Sequence, residues 1–157
     1  MNLLIIDMQP QFLSSVEIIP RVQREIKRAI EQKENIIYVE YIDDNYNRYS
    51  RTHPELTNLT RNYDRTYGCF KRQDDGSQEV YKLICRYGLG QRFRVCGVQS
   101  TACVYYTVNG ILSKIESEFV MVADALNAVA KEYLIRSFDS FRKLGCDIVN
   151  EELIYTY

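Results

Sequence analysis

Short apolar runs alternate with amphipathic segments along the chain, and this alternation limits the available folds more than any other feature. Residues 3–6 are four consecutive aliphatic side chains, and residues 16–33 place apolar side chains at helical spacing among charged ones. A continuous apolar run indicates a strand buried on both faces, whereas spacings of three and four indicate an amphipathic helix. Because such a strand needs helices on both of its faces, the pattern favours a parallel sheet.

The same alternation continues to the end of the chain. Further strands are predicted at 36–39, 66–70, 94–97, 119–123 and 147–149, and further helices at 77–86, 101–115 and 130–143. Right-handed crossovers then give a three-layer α/β/α domain with a mainly parallel, Rossmann-like sheet of about six strands. The polar, Tyr-rich segment 41–66 lacks clear periodicity and is predicted as a long loop. The sequence has no repeat or linker, so residues 1–157 are predicted to form one domain.

The charge balance and the cysteines argue against several classes of protein. Lys and Arg number 20 against 21 Asp and Glu, and no basic run occurs, so neither nucleic acid nor an anionic membrane is an expected partner. No apolar run approaches the ~20 residues that span a bilayer, and the first residues lack a basic leader. Five cysteines without a C-x-x-C pair argue against a secreted disulfide framework. We therefore expect a cytoplasmic protein.

Three chemically distinct side chains are predicted at the carboxyl edge of the sheet, where open α/β sheets have their sites. Asp7 follows the first strand, Lys71 follows the third, and Cys103 lies six residues past Gly97, where the fourth strand gives way to a helix. A helix N-terminus and a lysine favour a thiolate, and a carboxylate can accept the thiol proton, so together they supply the parts for acyl transfer. Taken singly, each residue also fits an ordinary role in packing, capping or solvation. The other cysteines are interpreted as packing residues: Cys69, Cys85, Cys96 and Cys146.

Four segments carry motifs in the same order along nearly the whole chain. They are residues 3–9 (LLIIDMQ), 95–104 (VCGVQSTACV), 120–125 (VMVADA) and 144–149 (LGCDIV). Together they resemble the isochorismatase-like cysteine hydrolases, which include the nicotinamidases. The resemblance implies that Asp7 is the general base and Cys103 the nucleophile. For the third catalytic residue, Lys71 matches better than Lys82, which is predicted within a helix.

The resemblance also implies further features of the site and of the molecule. It implies a cis peptide near Val98 and Gln99, which would aim the backbone N–H groups of Gln99 and Cys103 at a substrate oxygen. It further implies a small-molecule substrate, a thioester mechanism that needs no cofactor, and a homo-oligomer.

Aromatic side chains are candidates for the wall of the substrate pocket. Phe12, Tyr41 and Tyr106 are predicted to line it, with Tyr46 and Tyr49 as further candidates, because an aromatic wall suits a flat small molecule. An equally open interpretation is that the loop tyrosines pack against a second subunit.

The chain departs from the metal-binding nicotinamidases, which carry an aspartate and two histidines after the second strand. His53 is the one histidine of the sequence, so no metal site is predicted, and Gln11 occupies the position of the family's second acid. These departures argue against nicotinamide as the substrate, while Cys103 favours hydrolysis of an amide or related C–N bond. Two alternatives stay open. One is a catalytically silent binding or assembly protein with this fold, and the other is a hydrolase of a non-amide bond such as a vinyl ether.

Overall fold

Six strands form one sheet within residues 1–43 and 50–155, the part of the chain that the computed structural model describes. The strands are β1 (Asn2–Ile6), β2 (Asn35–Tyr41), β3 (Thr66–Lys71), β4 (Arg92–Gly97), β5 (Glu118–Leu126) and β6 (Asp147–Val149). They lie in the order β3-β2-β1-β4-β5-β6, and every neighbouring pair is parallel. The predicted parallel α/β sheet of about six strands is therefore confirmed.

Helices connect these strands. They are α1 (Leu13–Val16), α2 (Ile19–Glu31), α3 (Pro54–Thr57), α4 (Ser77–Tyr87), α5 (Cys103–Lys114) and α6 (Lys131–Lys143), with 3-10 turns at Asn58–Thr60 and Glu151–Ile154. The helix predicted at 16–33 begins at Ile19 because Pro20, which has no N–H to donate, fits only its first turn. No helix in the described part of the chain is long and apolar enough to cross a membrane.

Strand residues alternate between two apolar cores, one on each face of the sheet. On β1, Leu4 and Ile6 pack into the core that α4, α5 and α6 cover, whereas Leu3 and Ile5 pack into the core that α2 and α3 cover. All four side chains are at most 1% exposed. Successive strand side chains point to opposite faces, so a continuous apolar run supplies both cores and gives the three layers.

The segment predicted as a long loop is partly helical. Its described part carries α3, where Leu56 is fully buried in the core against α2. Thr52 ties the segment to the end of β2, since its N–H and its hydroxyl donate to Glu40 Oε2 at 2.6 and 2.9 Å. The loop prediction was wrong for residues 54–60, because one buried leucine in a single helical turn leaves no periodic pattern in the sequence.

Candidate active site

The site lies where β1 and β4 meet, the point at which the strand order reverses and an open sheet leaves a crevice. Gly97 ends β4 with a φ of 128°, and a Cβ atom there would lie 2.1 Å from the backbone oxygen of Ile6. Only glycine permits this approach. The Val98 N–H then donates to the Ile6 oxygen at 3.0 Å, which fixes the turn after β4 against the end of β1.

Asp7 and Lys71 form a buried ion pair beside this crevice. Lys71 Nζ lies 3.0 Å from Asp7 Oδ2, and each side chain is 1% exposed. Lys71 Nζ also donates to the backbone oxygens of Gln73 at 3.1 Å and Asp74 at 3.2 Å. The three N–H groups of the ammonium therefore have three acceptors, which holds Oδ2 of Asp7 in place.

The second carboxylate oxygen of Asp7 is available for chemistry. Oδ1 is buried and makes no hydrogen bond of ordinary geometry among residues 1–43 and 50–155. Burial raises the pKa of Asp7, while the charge of Lys71 and the Cys103 thiol, which lies close to the carboxylate, oppose that rise. A buried acceptor without a partner is costly, and a carboxyl with a raised pKa is a stronger base, so the arrangement is typical of a functional group.

Cys103 is the first residue of α5, and it is 7% exposed. Burial raises the pKa of its thiol to about 12; the charge of Asp7 acts in the same direction and that of Lys71 against it. From the sequence we expected the helix N-terminus and Lys71 to favour a thiolate, but burial outweighs both. The thiol is therefore protonated at neutral pH and depends on a base that takes its proton during attack.

The turn before α5 has two unused backbone donors. The peptide bond between Val98 and Gln99 is cis, which confirms the expectation from the sequence. Within the described ranges, neither the N–H of Gln99 nor that of Cys103 has an acceptor, whereas the intervening Ser100 and Ala102 both donate to backbone oxygens. Free N–H groups at both ends of one turn are suited to hold a developing oxyanion.

Two of the predicted aromatic residues meet beside the ion pair. The rings of Phe12 and Tyr41 are 6.1 Å apart between centroids, at an interplanar angle of 73°. Lys71 Nζ lies 5.0 Å from the centroid of Tyr41, within the range of a cation–π contact. Phe12 and Tyr41 therefore border the site, and their contact with substrate remains a prediction.

The other predicted aromatic residues lie apart from this pair. Tyr106 is 48% exposed on α5, and its ring contact is with Tyr105, at 5.7 Å between centroids. It stands on the surface of the helix rather than against the ion pair. Tyr46 and Tyr49 fall outside the described residues.

Gln9 is a site residue that the sequence did not identify. Its buried side chain accepts a hydrogen bond from the Tyr41 N–H at 2.7 Å and donates to the backbone oxygens of Tyr41 at 3.0 Å and Ser50 at 2.6 Å. Gln9 thus positions the backbone that carries the Tyr41 ring. Its place two residues after Asp7 is the only signal that the sequence offers.

Asp74 is the second residue that the sequence did not identify as part of the site. Cys103 Sγ lies 3.7 Å from Asp74 Oδ1, in the turn between β3 and α4. In the sequence, the pair Asp74 and Asp75 indicates only a turn and a helix start. Asp75 has that role, since its Oδ1 accepts from the Ser77 N–H at 2.8 Å.

The described residues do not fit a bound metal ion. His53 is buried, with Nε2 at 2.7 Å from Ser15 Oγ and Nδ1 at 3.9 Å from the exposed Glu55 carboxylate. Burial lowers the pKa of His53, and the charge of Glu55 opposes this. No group of three His, Cys, Asp or Glu side chains that could hold a metal occurs in residues 1–43 and 50–155. His53 thus has partners of its own in Ser15 and Glu55, and residues 1–43 and 50–155 offer no donor set for tetrahedral or octahedral ligation.

A groove of about 980 Å³ borders the site. Phe12 and Gln99 line it together with the apolar side chains of Leu13 and Val129, which are 82% and 76% exposed. Asp7 and Cys103 do not line it. Through Phe12 and Gln99 the groove adjoins the candidate site, on the side of the turn after β4.

Neither a model of a known protein family nor a curated protein matches the sequence. Solved structures do match the fold. A nicotinamidase from Staphylococcus aureus aligns with a TM-score of 0.79 and 15% identity, over 94% of this chain and 95% of that one. An isochorismatase-like hydrolase from Alkaliphilus metalliredigens aligns with a TM-score of 0.77 and 15% identity, over 94% and 92%.

A third match shows how widely the fold is used. The MAR1 ribonuclease from Caenorhabditis elegans aligns with a TM-score of 0.77 and 20% identity, over 98% of this chain and 78% of that one. At such identities a structural match establishes the fold and leaves the activity to the site. The chain therefore has the isochorismatase-like fold that its sequence motifs predict.

Proposed function

We propose that the chain is a cysteine-dependent hydrolase that cleaves a small amide-like C–N bond through a thioester. The observation that carries the proposal is the buried pair of Lys71 and Asp7 with Oδ1 of Asp7 unpartnered, close enough to Cys103 for each charge to act on its thiol. These residues come from three distant points of the chain. A buried base with an unused oxygen beside a protonated thiol is the pairing that nucleophilic catalysis requires.

Attack begins with transfer of the thiol proton. Asp7 Oδ1 accepts this proton while Cys103 Sγ attacks the substrate carbonyl carbon, and Lys71 holds Oδ2, so that Oδ1 remains the oxygen that accepts it. The raised pKa of Asp7 brings it closer to working pH and improves it as a base. The N–H groups of Gln99 and Cys103 donate to the oxyanion of the tetrahedral intermediate.

Collapse of that intermediate breaks the C–N bond. Asp7 returns the proton to the leaving nitrogen, ammonia or an amine departs, and the acyl group stays on Cys103 as a thioester. Asp7 then takes a proton from water, and the resulting hydroxide attacks the thioester carbonyl. The thiol leaves with the proton from Asp7, so the acid is released and both side chains return to their initial states.

The structural neighbours support amide chemistry without fixing the substrate. The nicotinamidase and the isochorismatase-like hydrolase share this fold, and a nicotinamidase cleaves an amide C–N bond. The ribonuclease on the same fold has a polyanionic substrate. A chain with a net charge of −1 offers no general attraction for such a substrate, which favours a small molecule here.

The test is a panel of small primary and secondary amides, with release of ammonia or amine as the readout. Wild type and the control variant Cys85→Ser, which changes an exposed cysteine, are expected to turn over the same amide. Cys103→Ser is expected to lose about 10³-fold or more in kcat/KM, since removing a nucleophile removes the covalent route.

Two results would contradict the proposal. Turnover that survives in Cys103→Ser would point to a route without the thiol, such as vinyl ether hydrolysis. An absence of turnover across the panel, with no acyl adduct on Cys103 by mass spectrometry, would support a catalytically silent binding protein instead.

A further inference from the structure

A carboxylate that the proposed chemistry does not use lies against the thiol. Cys103 Sγ is 3.7 Å from Asp74 Oδ1, in the range of a weak S–H···O hydrogen bond. The backbone oxygen of Asp74 accepts from Lys71 Nζ at 3.2 Å, which ties this turn to the buried ion pair. Asp74 therefore belongs to the same site as Asp7, although no step of the thioester route needs it.

The charge of Asp74 is not neutralised within the described part of the chain. Lys71 Nζ pairs with the carboxylate of Asp7 and reaches Asp74 only at its backbone oxygen. No Lys, Arg or His in residues 1–43 and 50–155 forms an ion pair with the Asp74 carboxylate. Two carboxylates and one ammonium leave one negative charge in excess beside Cys103.

This excess charge lies at the outer rim of the site. Asp74 is exposed, whereas Asp7 and Lys71 are buried. A substrate whose carbonyl carbon reaches Cys103 Sγ comes within a few ångströms of Asp74 Oδ1 and displaces water from it. An apolar substrate group there does not compensate the carboxylate for the water that it loses, and an anionic group is repelled. A cationic group is attracted.

An aromatic ring completes the rim. Burial raises the pKa of Tyr41, the charges of Asp43 and Asp74 act in the same direction and that of Lys71 acts against it, so its ring lies within the field of this site. The ring of Phe12 packs edge-on against it. Aromatic faces beside a carboxylate are suited to organic cations, because the ring quadrupole and the charge attract the same group.

We propose that Asp74 makes the site selective for amides that carry a positive charge, such as an ammonium or amidinium group, within a few bonds of the scissile carbonyl. The proposal rests on the proposed function, because it takes Cys103 as the atom that the substrate must reach. Asp74 is then a specificity-determining residue that contacts the substrate and takes no proton.

The experiment needs no knowledge of the substrate. Cys103 is labelled with two methanethiosulfonates of similar size, one with a trimethylammonium group and one with a sulfonate group. In each case the thiolate attacks the reagent sulfur, a mixed disulfide forms and methanesulfinate leaves. Peptide mapping gives the rate at Cys103 and, as an internal reference, at the exposed Cys85.

We expect the cationic reagent to label Cys103 faster by on the order of 10-fold at low ionic strength, relative to the same ratio at Cys85. Asp74→Asn is expected to abolish that preference. Any change in the thiol pKa affects both reagents equally, so the ratio of the two rates reports the charge alone. The matched control is Asp75→Asn, because Asp75 caps the Ser77 N–H and makes no contact with the thiol. It is expected to keep the preference within about 2-fold.

The outcomes separate this inference from the proposed function. Equal labelling of Cys103 by both reagents, or a preference that survives in Asp74→Asn, overturns the charge selectivity and leaves the thioester route standing. A Cys103 that neither reagent labels in the folded protein, although both label it after unfolding, overturns both. A preference lost in Asp74→Asn is then extended to the amide panel, where the ratio of kcat/KM for cationic amides to kcat/KM for neutral amides should fall about 10-fold in Asp74→Asn.

Discussion

Two aspartates of similar burial, Asp7 and Asp124, lie in opposite surroundings. Asp7 is 1% exposed after β1, and Asp124 is 4% exposed near the carboxyl end of β5. Arg24 binds both oxygens of Asp124, at 2.7 and 2.9 Å, and Asn150 donates to Oδ1 at 3.1 Å. Burial acts to raise the pKa of Asp124, but these donors and the charge of Arg24 hold it below its ordinary value. The pKa of Asp7 is raised, and its Oδ1 has no partner in the described structure.

The network around Asp124 continues into the fold. Glu25 accepts from Arg24 Nε at 2.9 Å and from Arg94 Nε at 2.8 Å. Arg94 Nη1 in turn donates to both oxygens of Glu34, at 2.8 and 3.1 Å. Every carboxylate of this cluster has a cationic partner, and these charge-assisted hydrogen bonds offset the cost of burying the charges. Around Asp7, in contrast, the acceptor Oδ1 and the N–H donors of Gln99 and Cys103 have no partner in the described structure. Unsatisfied polar groups are typical of a functional site, whereas fully paired ones are typical of a structural network.

Exchanging each aspartate for its amide is the sharpest test of this difference. Asp7→Asn is expected to lower kcat/KM by about 10²- to 10⁴-fold, since a positioned general base contributes that much. Alkylation of Cys103 by iodoacetamide should nevertheless become faster, because the Asp7 charge that raises the thiol pKa is gone. The control Asp124→Asn should keep kcat/KM per folded molecule within a few-fold. Loss of activity in both variants, at equal folded fraction, would erase the distinction.

Breaking the saturated network should affect stability instead of chemistry. Arg94→Met leaves Glu25 and Glu34 buried with fewer partners, so it is expected to lower the free energy of unfolding by about 3–5 kcal/mol. The matched control on the same strand is Arg92→Met. Arg92 pairs with Glu118 at 3.2 Å, but both side chains are largely exposed, so this change should cost about 0–1 kcal/mol. Urea unfolding measures the loss in free energy of unfolding for both variants. Equal losses would show that the burial of an ion pair does not determine how much stability its removal costs.

The sequence predicts the sheet well because its signals are local. The apolar run at residues 3–6 and the periodic segments indicate strands and helices without reference to distant residues, and β6 has the predicted bounds Asp147–Val149. The helical turn at α3 was missed because its stability comes from one side chain, Leu56, that is buried against a distant helix. The helical conformation of that segment therefore depends on tertiary packing and not on a local sequence pattern.

The ends of the predicted strands were enough to place the three candidate site residues at one edge of the sheet. Asp7 directly follows β1, Lys71 ends β3 and Cys103 begins the helix after β4, so chain order alone brings them to one edge. Asp74 and Gln9 act through side-chain directions and contacts with residues far along the chain, which no spacing reveals. The raised pKa of the thiol likewise depends on burial, and burial is a property of the folded molecule.

Acid titration gives the smallest effect and tests the sign of each pKa shift. The lowered pKa of Asp124 contributes stability that is present above its unfolded value of 3.8 and is lost as pH falls through the folded value. The raised pKa of Asp7 acts the other way, since its contribution is present below 3.8 and is lost as pH rises through the folded value. At pH 7, Asp124→Asn should therefore be less stable than wild type, and Asp7→Asn equal or more stable. The sign of each difference tests the direction of the pKa shift, and the difference at Asp124 is reduced because the partly exposed Arg24 is screened by solvent.

Urea unfolding between pH 3 and pH 7 measures both differences. Asp7→Asn should converge on wild type as the pH falls below 3.8, whereas Asp124→Asn should converge only as the pH falls through the lower folded pKa of Asp124, because each aspartate is then protonated in both states and resembles the amide. An Asp7→Asn variant that is less stable than wild type at pH 7 would mean that Lys71 stabilises the Asp7 carboxylate more than burial destabilises it. Asp7 would then be a saturated ion-pair partner like Asp124, and the unpaired Oδ1 would no longer mark it as the base of the site.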